Sequence, residues 1–321
     1  MSGRAIACFV NGIGDHVLAL PALRALCAAF PGRLELVCSE RLADTFFAGL
    51  PVLALHPHDF ARAGRGRTFD ARAIAARLAP AEIVVSLNPW HSPAIDELLA
   101  LLAPRRSIGF FPAFGEELPR DFSIHSADLA FAAARAVDAR LRFEDFAEPP
   151  AFGADAARAA RSILRAIPRD RRVLIVHAET KPEKSWPAER FVAALDEFLD
   201  ARRDFVALVV GREPSGFDRG RCGDRVVDCA GLPLAVSLAL TAHADLFFGV
   251  DSCALHVADF ARVPCVAIFG PTEPHEFGCR LAPARHLRGP GCEMTEVSVA
   301  SATFALRDVA ARWCAAGTGK S

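Results

Sequence analysis

Lysine is nearly absent from this chain of 321 residues, occurring only at Lys181, Lys184 and Lys320. All other permanently positive side chains are arginine, a bias that together with abundant alanine is typical of a GC-rich genome. Two lysines in one short loop therefore indicate a task that arginine performs badly. Lysine is a compact, mobile point charge that suits a phosphate oxygen, whereas arginine is a planar fork. The alternative is a solvated loop whose two lysines have no special task.

Other absences exclude broad classes of protein. The formal net charge is −1, which argues against a protein that binds nucleic acid through bulk charge. No apolar run approaches the roughly 20 residues that span a bilayer, so membrane contact would be peripheral at most. The 10 cysteines form no C-x-x-C pair, and no secretion signal is recognisable. We therefore expect reduced thiols in a cytoplasmic protein.

The pattern of apolar runs predicts two α/β domains. A chain of this length, with 52% hydrophobic residues, is long for one domain and sufficient for two. Short apolar runs alternate with helical patterns, which is typical of parallel sheets. The predicted strands are 5–10, 34–38, 83–87, 173–176, 206–210, 246–250 and 265–269. The predicted helices are 15–30, 188–199, 233–243, 254–261 and 304–314, and Pro21 should kink the first of these or mark a new start.

A proline-rich segment, Glu148-Pro149-Pro150 followed by Gly153, predicts a linker between the two halves. We therefore expect two Rossmann-like domains, residues 1–150 and 151–321, with parallel sheets facing a central cleft. The helix at about 304–314 either closes the second domain or packs back on the first.

The loop after the first predicted strand carries two glycines and an acidic residue. Gly12 and Gly14 allow a tight turn, but Val17 stands where a dinucleotide fingerprint needs its third glycine. A nicotinamide site is therefore not expected. Asp15 has two interpretations: an acidic residue favoured at a helix N-terminus, or a carboxylate placed to take a proton.

Two further loops also follow predicted strands directly, where ligands of open α/β sheets bind. Thr180, Lys181, Lys184 and Ser185 offer hydroxyl and ammonium donors, with Trp186 as a packing residue. The segment 251–256 runs from a strand into a helix whose free N–H groups, with the Ser252 hydroxyl, form an anion site. His256 lies one turn further on the same helix face, either as a core histidine or facing the ligand.

Four motifs in this order and spacing resemble glycosyltransferase family 9, the ADP-heptose:lipopolysaccharide heptosyltransferases. They are GDHVLALPAL, H-x-x-T-x-x-x-K-x-W-P, DSC-x-x-H and FGPTEP, and they extend from Gly14 to Pro274. The resemblance implies the GT-B fold, in which two Rossmann-like domains hold the nucleotide sugar mainly through the C-terminal one.

The resemblance also implies roles for individual residues. Asp15 matches the expected general base on the acceptor hydroxyl. The implied donor-binding residues are Thr180, Lys184, Glu213, Leu232, Asp251, Ser252, Cys253 and His256, of which Glu213 would contact the ribose and Leu232 the adenine. Gly14, Lys181 and Thr272 are further candidate contacts to the donor or acceptor, and of these Lys181 has no firm counterpart in the family. Cys253 departs from the family, which usually has glycine there, and its thiol would crowd the donor.

The function that follows is inverting transfer of a heptose or related sugar from a nucleotide-diphosphate sugar, with ADP-heptose expected, to an acceptor hydroxyl. The expected acceptor is lipopolysaccharide core or a related, lipid-linked glycan. No Asp-x-Asp pair occurs, so neither a metal nor a cofactor is expected. The alternatives are a nucleotide-sugar epimerase of the same fold, a natural-product or protein acceptor, and a non-catalytic nucleotide-sugar-binding protein. We expect a monomer in the cytoplasm or at the inner face of the inner membrane.

Overall fold

The computed structural model describes residues 3–47, 49–58, 61–63, 66–214, 216–217 and 220–314. The chain folds into two compact units, Met1–Ala151 and Phe152–Ser321. The predicted domain boundary lies one residue earlier.

The first unit is a parallel six-stranded sheet flanked by helices. Its strands are β1 (Ala5–Phe9), β2 (Leu34–Ser39), β3 (Ala54–His58), β4 (Ala61–Ala63), β5 (Gly66–Thr68), β6 (Ile83–Ser86), β7 (Arg106–Gly109) and β8 (Glu116–Glu117). The sheet order is β3-β2-β1-β6-β7-β8, and β4 and β5 form a separate antiparallel pair. The helices are α1 (Ile13–Ala29), α2 (Glu40–Phe46), α3 (Ala71–Ala75), α4 (Pro93–Leu102) and α5 (Ser126–Val137).

The second unit repeats this strand order. Its strands are β9 (Arg172–His177), β10 (Phe205–Val209), β11 (Val226–Asp228), β12 (Leu246–Val250), β13 (Cys265–Phe269) and β14 (Ala284–Arg288), in the order β11-β10-β9-β12-β13-β14. Its helices are α6 (Ala154–Ala166), α7 (Ala188–Ala201), α8 (Leu234–Ala242), α9 (Cys253–Phe260), α10 (Pro274–Phe277) and α11 (Val299–Trp313). In each unit the chain leaves the first strand towards one side of the sheet and later returns to the other side. The topological switch points therefore lie between β1 and β6 and between β9 and β12.

Pro21 does not start a new helix, so that alternative is wrong. It lies inside α1, which runs without interruption from Ile13 to Ala29. Residues 16–23 of α1 are all buried. Because most helical stability in proteins comes from packing, this burial offsets the hydrogen bond that proline cannot donate.

Trp186 packs in the core of the second unit, as predicted. Its side chain is 3% exposed, and its ring meets Phe191 edge-on at 4.9 Å. The indole Nε1 donates a hydrogen bond to the carbonyl oxygen of Val297 over 3.0 Å. Trp186 thus fixes the loop that carries Lys181 and Lys184 against the segment that leads into α11. Helix α11 in turn packs on α7, β13 and β14.

None of the ten cysteines is in a disulfide in this structure. Burial raises the pKa of Cys8 and of Cys38 to about 12, so both remain neutral core side chains. Within the described part of the chain, no helix is both long enough and apolar enough to cross a bilayer.

A buried carboxylate in α9 anchors the segment between α10 and β14. Asp259 is 1% exposed, and its oxygens accept the backbone N–H groups of Arg280, Leu281 and Ala282 over 3.1, 2.8 and 2.7 Å. Hydrogen bonds to a charged group are stronger than those between neutral groups.

We predict that Asp259→Asn destabilises the second unit by about 3 kcal/mol, because the amide loses the charge and turns an NH2 group towards the backbone donors. Urea unfolding followed by tryptophan fluorescence measures the change, and the buried Trp186 belongs to the second unit. The control is Asp170→Asn, whose carboxylate is 78% exposed. Equal stability of the two variants would contradict the anchoring role.

Candidate functional site

An ion pair bridges the switch point of the second unit. Lys184, in the loop after β9, places its Nζ 2.5 Å from Oδ2 of Asp251, the first residue after β12. The side chains are 21% and 5% exposed. Since the chain leaves β9 and β12 towards opposite sides of the sheet, these loops flank a crevice where ligands bind. The pair therefore fixes a lysine ammonium at the edge of this crevice.

Asp251 also holds the neighbouring loops in place. The hydroxyl of Thr272, after β13, donates to Oδ2 over 2.9 Å. The hydroxyl of Thr180 donates to the Asp251 carbonyl oxygen over 3.4 Å. The structure therefore brings together four residues that the sequence indicated from three separate loops: Thr180, Lys184, Asp251 and Thr272.

The N-terminus of α9 lies beside this ion pair. Ser252 occupies the N-cap position but makes no capping hydrogen bond through its side chain. Its Oγ is buried and has no hydrogen-bond partner among the described residues. Since the first N–H groups of a helix also lack intrahelical partners, several donors converge at this point. The arrangement fits an anion such as a phosphate.

His256 is buried next to the ion pair. It is 3% exposed, and its Nε2 is 3.9 Å from Oδ1 of Asp251. Burial agrees with a core histidine, and the contact with Asp251 keeps it beside the residues of the site, so its role towards a ligand stays a prediction.

A pocket adjoins the helix N-terminus and encloses about 420 Å³ of space, part of it open to solvent. Leu232 and Cys253 line it, as the resemblance implied for Leu232. The sequence did not indicate the other lining residues, which are His177, Glu179, Val210, Gly211, Arg212, Leu234, Ser237, Leu238, Thr241 and Ala254.

The carboxylate at this pocket belongs to Glu179 and not to Glu213. Glu213 is exposed and does not line the pocket. Arg212 donates to Glu179 through its backbone N over 2.5 Å and through its Nε over 2.8 Å. Burial raises the pKa of Glu179, but the hydrogen bonds from Arg212 outweigh burial and lower it overall. The position of Glu179, two residues after β9, was the signal that could have indicated it.

Cys253 contributes volume and no charge. It is the first residue of α9 and lines the pocket. Burial raises the pKa of its thiol to about 12, so the side chain is neutral at physiological pH.

In the first unit, Asp15 lies in the first turn of α1, after Gly14. Its Oδ2 accepts the backbone N–H of Gly12 over 3.1 Å, and the side chain is half-buried. It thus fills the helix-terminal role that the sequence suggested. Asp15 also lies just beyond the C-terminal end of β1, where its side chain could take part in acid–base chemistry.

The remaining charged candidates lie outside these clusters or outside the described residues. Lys181 is exposed, and its carbonyl oxygen accepts the backbone N–H of Lys184. Four arginines close together in the first unit, Arg62, Arg65, Arg67 and Arg72, would give the basic surface expected for an anionic acceptor. Arg65 is outside the described residues, as are the side chains of Arg62 and Arg67. Among the side chains that are described, no group of three His, Cys, Asp or Glu residues could hold a metal ion.

The two α/β units with parallel six-stranded sheets define a protein of the GT-B fold class. The family model of glycosyltransferase family 9 (heptosyltransferase) matches residues 130–295, slightly more than half of the chain. The chain belongs to glycosyltransferase family 9, and the predicted family and fold class are confirmed. No curated protein matches its sequence significantly.

Solved structures of family members share the fold at low sequence identity. A family 9 glycosyltransferase from Veillonella parvula superposes with a TM-score of 0.76 at 20% identity, over 96% of this chain and 97% of the other. Escherichia coli ADP-heptose lipopolysaccharide heptosyltransferase II gives 0.73 at 15% identity, over 97% and 100%. E. coli heptosyltransferase WaaC, solved with ADP, gives 0.68 at 17% identity, over 95% and 99%.

His177 carries a buried, unsatisfied nitrogen at the edge of the pocket. Its Nδ1 has no hydrogen-bond partner among the residues described. Burial lowers the pKa of the imidazole to about 4, although the charge of Glu179 opposes this shift. The side chain is therefore neutral in the folded chain under ordinary conditions.

We predict that His177 makes the protein less stable in acid. Between pH 6.5 and 4 the unfolded chain binds a proton at this imidazole and the folded chain does not, so stability falls as the pH drops through that window, by up to about 3 kcal/mol. Melting temperatures from pH 7.5 to 4 should show a shallower decline for His177→Gln. His275→Gln, at a side chain that is 55% exposed, is the control. Parallel curves for all three proteins would refute the assignment.

Proposed function

We propose that this protein transfers a heptose or related sugar, with inversion, from a nucleotide-diphosphate sugar to an acceptor hydroxyl, and that the donor is ADP-heptose. The observation that carries the proposal is the Lys184 ammonium, held by Asp251 beside the open N-terminus of α9 and the adjoining pocket. A nucleoside diphosphate needs this sequence of environments: a partly apolar pocket, then positive charge and N–H donors. The E. coli relative WaaC, solved with ADP, supports adenine as the base.

The proposed donor site stabilises the leaving group. As the bond to the sugar breaks, negative charge builds on the departing diphosphate. Lys184, the Ser252 hydroxyl and the first N–H groups of α9 are already oriented towards that charge, which is electrostatic preorganisation. In this proposal no metal is required for the step.

Asp251 acts through Lys184 in this proposal. Its carboxylate is 5% exposed and bonded to Lys184 and Thr272, so it has no oxygen turned freely towards solvent. A direct approach of phosphate to this carboxylate would bring like charges together. The aspartate therefore positions the ammonium, and the threonine fixes the aspartate.

Asp15 is the proposed general base. It would take the proton from the acceptor hydroxyl as the oxygen attacks the anomeric carbon, so that one displacement inverts the configuration. We propose lipopolysaccharide core or a related glycan as the acceptor. The alternative within this proposal is a natural-product or protein acceptor. We also propose that the protein acts as a monomer, in the cytoplasm or at the inner face of the inner membrane.

An epimerase of the same fold is the second candidate. It would use the same nucleotide site but turn over the donor without an acceptor. Incubation with the nucleotide sugar alone separates the two, because only the epimerase releases altered sugar under those conditions.

We predict that ADP raises the melting temperature of the wild type and that Lys184→Ala removes about half of this shift or more. A ligand at 100 times its Kd stabilises the folded state by about 2.7 kcal/mol. Loss of the ammonium removes a charge-assisted contact to the diphosphate, which should weaken binding at least tenfold. Thermal-shift titrations with ADP, UDP, GDP and dTDP give the comparison.

Lys181→Ala is the matched control, because this lysine lies in the same loop with its side chain exposed. It should respond to ADP as the wild type does. If another nucleotide raises the melting temperature and ADP does not, the donor carries that other base. If ADP raises the melting temperatures of both lysine variants equally, Lys184 does not bind the diphosphate.

We predict that Asp15→Asn retains ADP binding but loses at least 100-fold in the rate of transfer, the usual scale of general-base catalysis. The asparagine oxygen can still accept the Gly12 N–H, so the start of α1 is preserved. Radiolabelled sugar transfer measures the rate. Asp155→Asn, also an acidic residue in a first helical turn but 95% exposed, is the control. Wild-type transfer by Asp15→Asn would eliminate it as the base.

A further inference from the structure

The first unit has a switch point of its own, between β1 and β6. The backbone N of Leu87 donates to the carbonyl oxygen of Cys8 over 3.0 Å, and the backbone N of Val10 donates to Oδ1 of Asn88 over 2.9 Å. Asn88 is 5% exposed, so the loops after β1 and β6 start from one fixed, buried link. The second unit carries its ion pair at the corresponding place. A ligand of the first unit is therefore expected at these two loops.

An exposed pair of aromatic rings occupies this place. Trp90, two residues after Asn88, is 59% exposed, and Phe122 is 38% exposed. Their rings are stacked, with centroids 5.6 Å apart and planes inclined by 22°. We name these two residues the aromatic platform. Tryptophan is on average a highly buried residue, so a tryptophan with more than half its surface in water at a switch point indicates a binding surface.

The platform rests on an ordered base. His91, next to Trp90, places its ring 5.2 Å from that of Phe111, and the Arg120 guanidinium lies 4.7 Å from the same phenylalanine ring. Phe111 is only 9% exposed. Both segments that carry the platform are thus packed on one buried side chain, which limits the entropy lost when a ligand binds.

We propose that the aromatic platform binds a sugar ring of the acceptor, stacked on the face of Trp90. An aromatic face carries partial negative charge, and one face of a pyranose presents polarised C–H groups that complement it. Polar side chains of the same two segments could serve the ring hydroxyls: Arg120, two residues before Phe122, and His91, next to Trp90, whose Nε2 is hydrogen-bonded to Asp96 over 2.7 Å. The platform is formed by loops and offers no open strand edge, which an extended peptide would use. A glycan therefore fits it better than a protein acceptor.

The platform can bind a sugar whether or not the donor is bound. That this sugar belongs to the acceptor, whose hydroxyl gives its proton to Asp15, rests on the proposed function. The test is saturation-transfer NMR with the full chain and two probes, a lipopolysaccharide core oligosaccharide and a serine-containing peptide. We expect saturation of sugar C–H protons by the wild type. Trp90→Ala should raise the Kd for the oligosaccharide at least about tenfold, the loss of roughly one buried aromatic contact, while Trp90→Phe retains most of the affinity.

The matched control is Trp313→Ala, because Trp313 is also exposed, by 42%, but belongs to α11 of the second unit. It should bind the oligosaccharide as the wild type does. The proposal is overturned if the wild type saturates no oligosaccharide protons, if it binds only the peptide, or if Trp90→Ala binds normally. Oligosaccharide binding without any nucleotide-induced thermal shift would support the platform and reject the proposed function. A nucleotide shift without oligosaccharide binding would reject the platform alone.

Discussion

The partly buried pair of Lys184 and Asp251 is the interaction on which the proposed donor site depends. Taking two charges out of water is costly, and their attraction offsets that cost only when the remaining hydrogen-bond capacity is also satisfied. Thr272 supplies one such bond, over 2.9 Å. The pair therefore contributes more to placing the ammonium than to overall stability. Three loops from three strands meet at a single carboxylate, and a change in any of them would displace the lysine.

The two units use one sheet order for different chemistry. In both, the strand order changes sense between two central parallel strands, and the loops that follow these strands leave towards opposite sides of the sheet. The second unit places a lysine, a helix N-terminus and a pocket there, all suited to an anionic nucleotide. The first unit places Asp15 and the aromatic platform there, which suit a neutral hydroxyl and a sugar ring. This division matches the proposed reaction, in which one substrate carries a negatively charged leaving group and the other carries the nucleophilic hydroxyl.

The sequence predicted the central parts of this protein better than its edges. Buried strands such as β12 are continuous apolar runs, whereas the edge strand β14, Ala284–Arg288, is largely polar and was missed. The predicted loops do meet at the site, because the ends of central strands determine where those loops begin. Glu179 was missed as a pocket residue because its fixed position depends on Arg212, 33 residues away in the chain. No local pattern records such a pairing.

Cys253 determines what kind of specificity the donor site can have. Its thiol is neutral, so it does not repel a diphosphate, and its effect on a ligand must be steric. The side chain lies where the pocket meets the N-terminus of α9, the place at which a bound nucleoside would join its phosphates. A glycine there would leave the helix N–H groups open to close approach. With cysteine the diphosphate must lie further from those N–H groups, so a larger share of its charge stabilisation falls to Lys184, which has a long and mobile side chain.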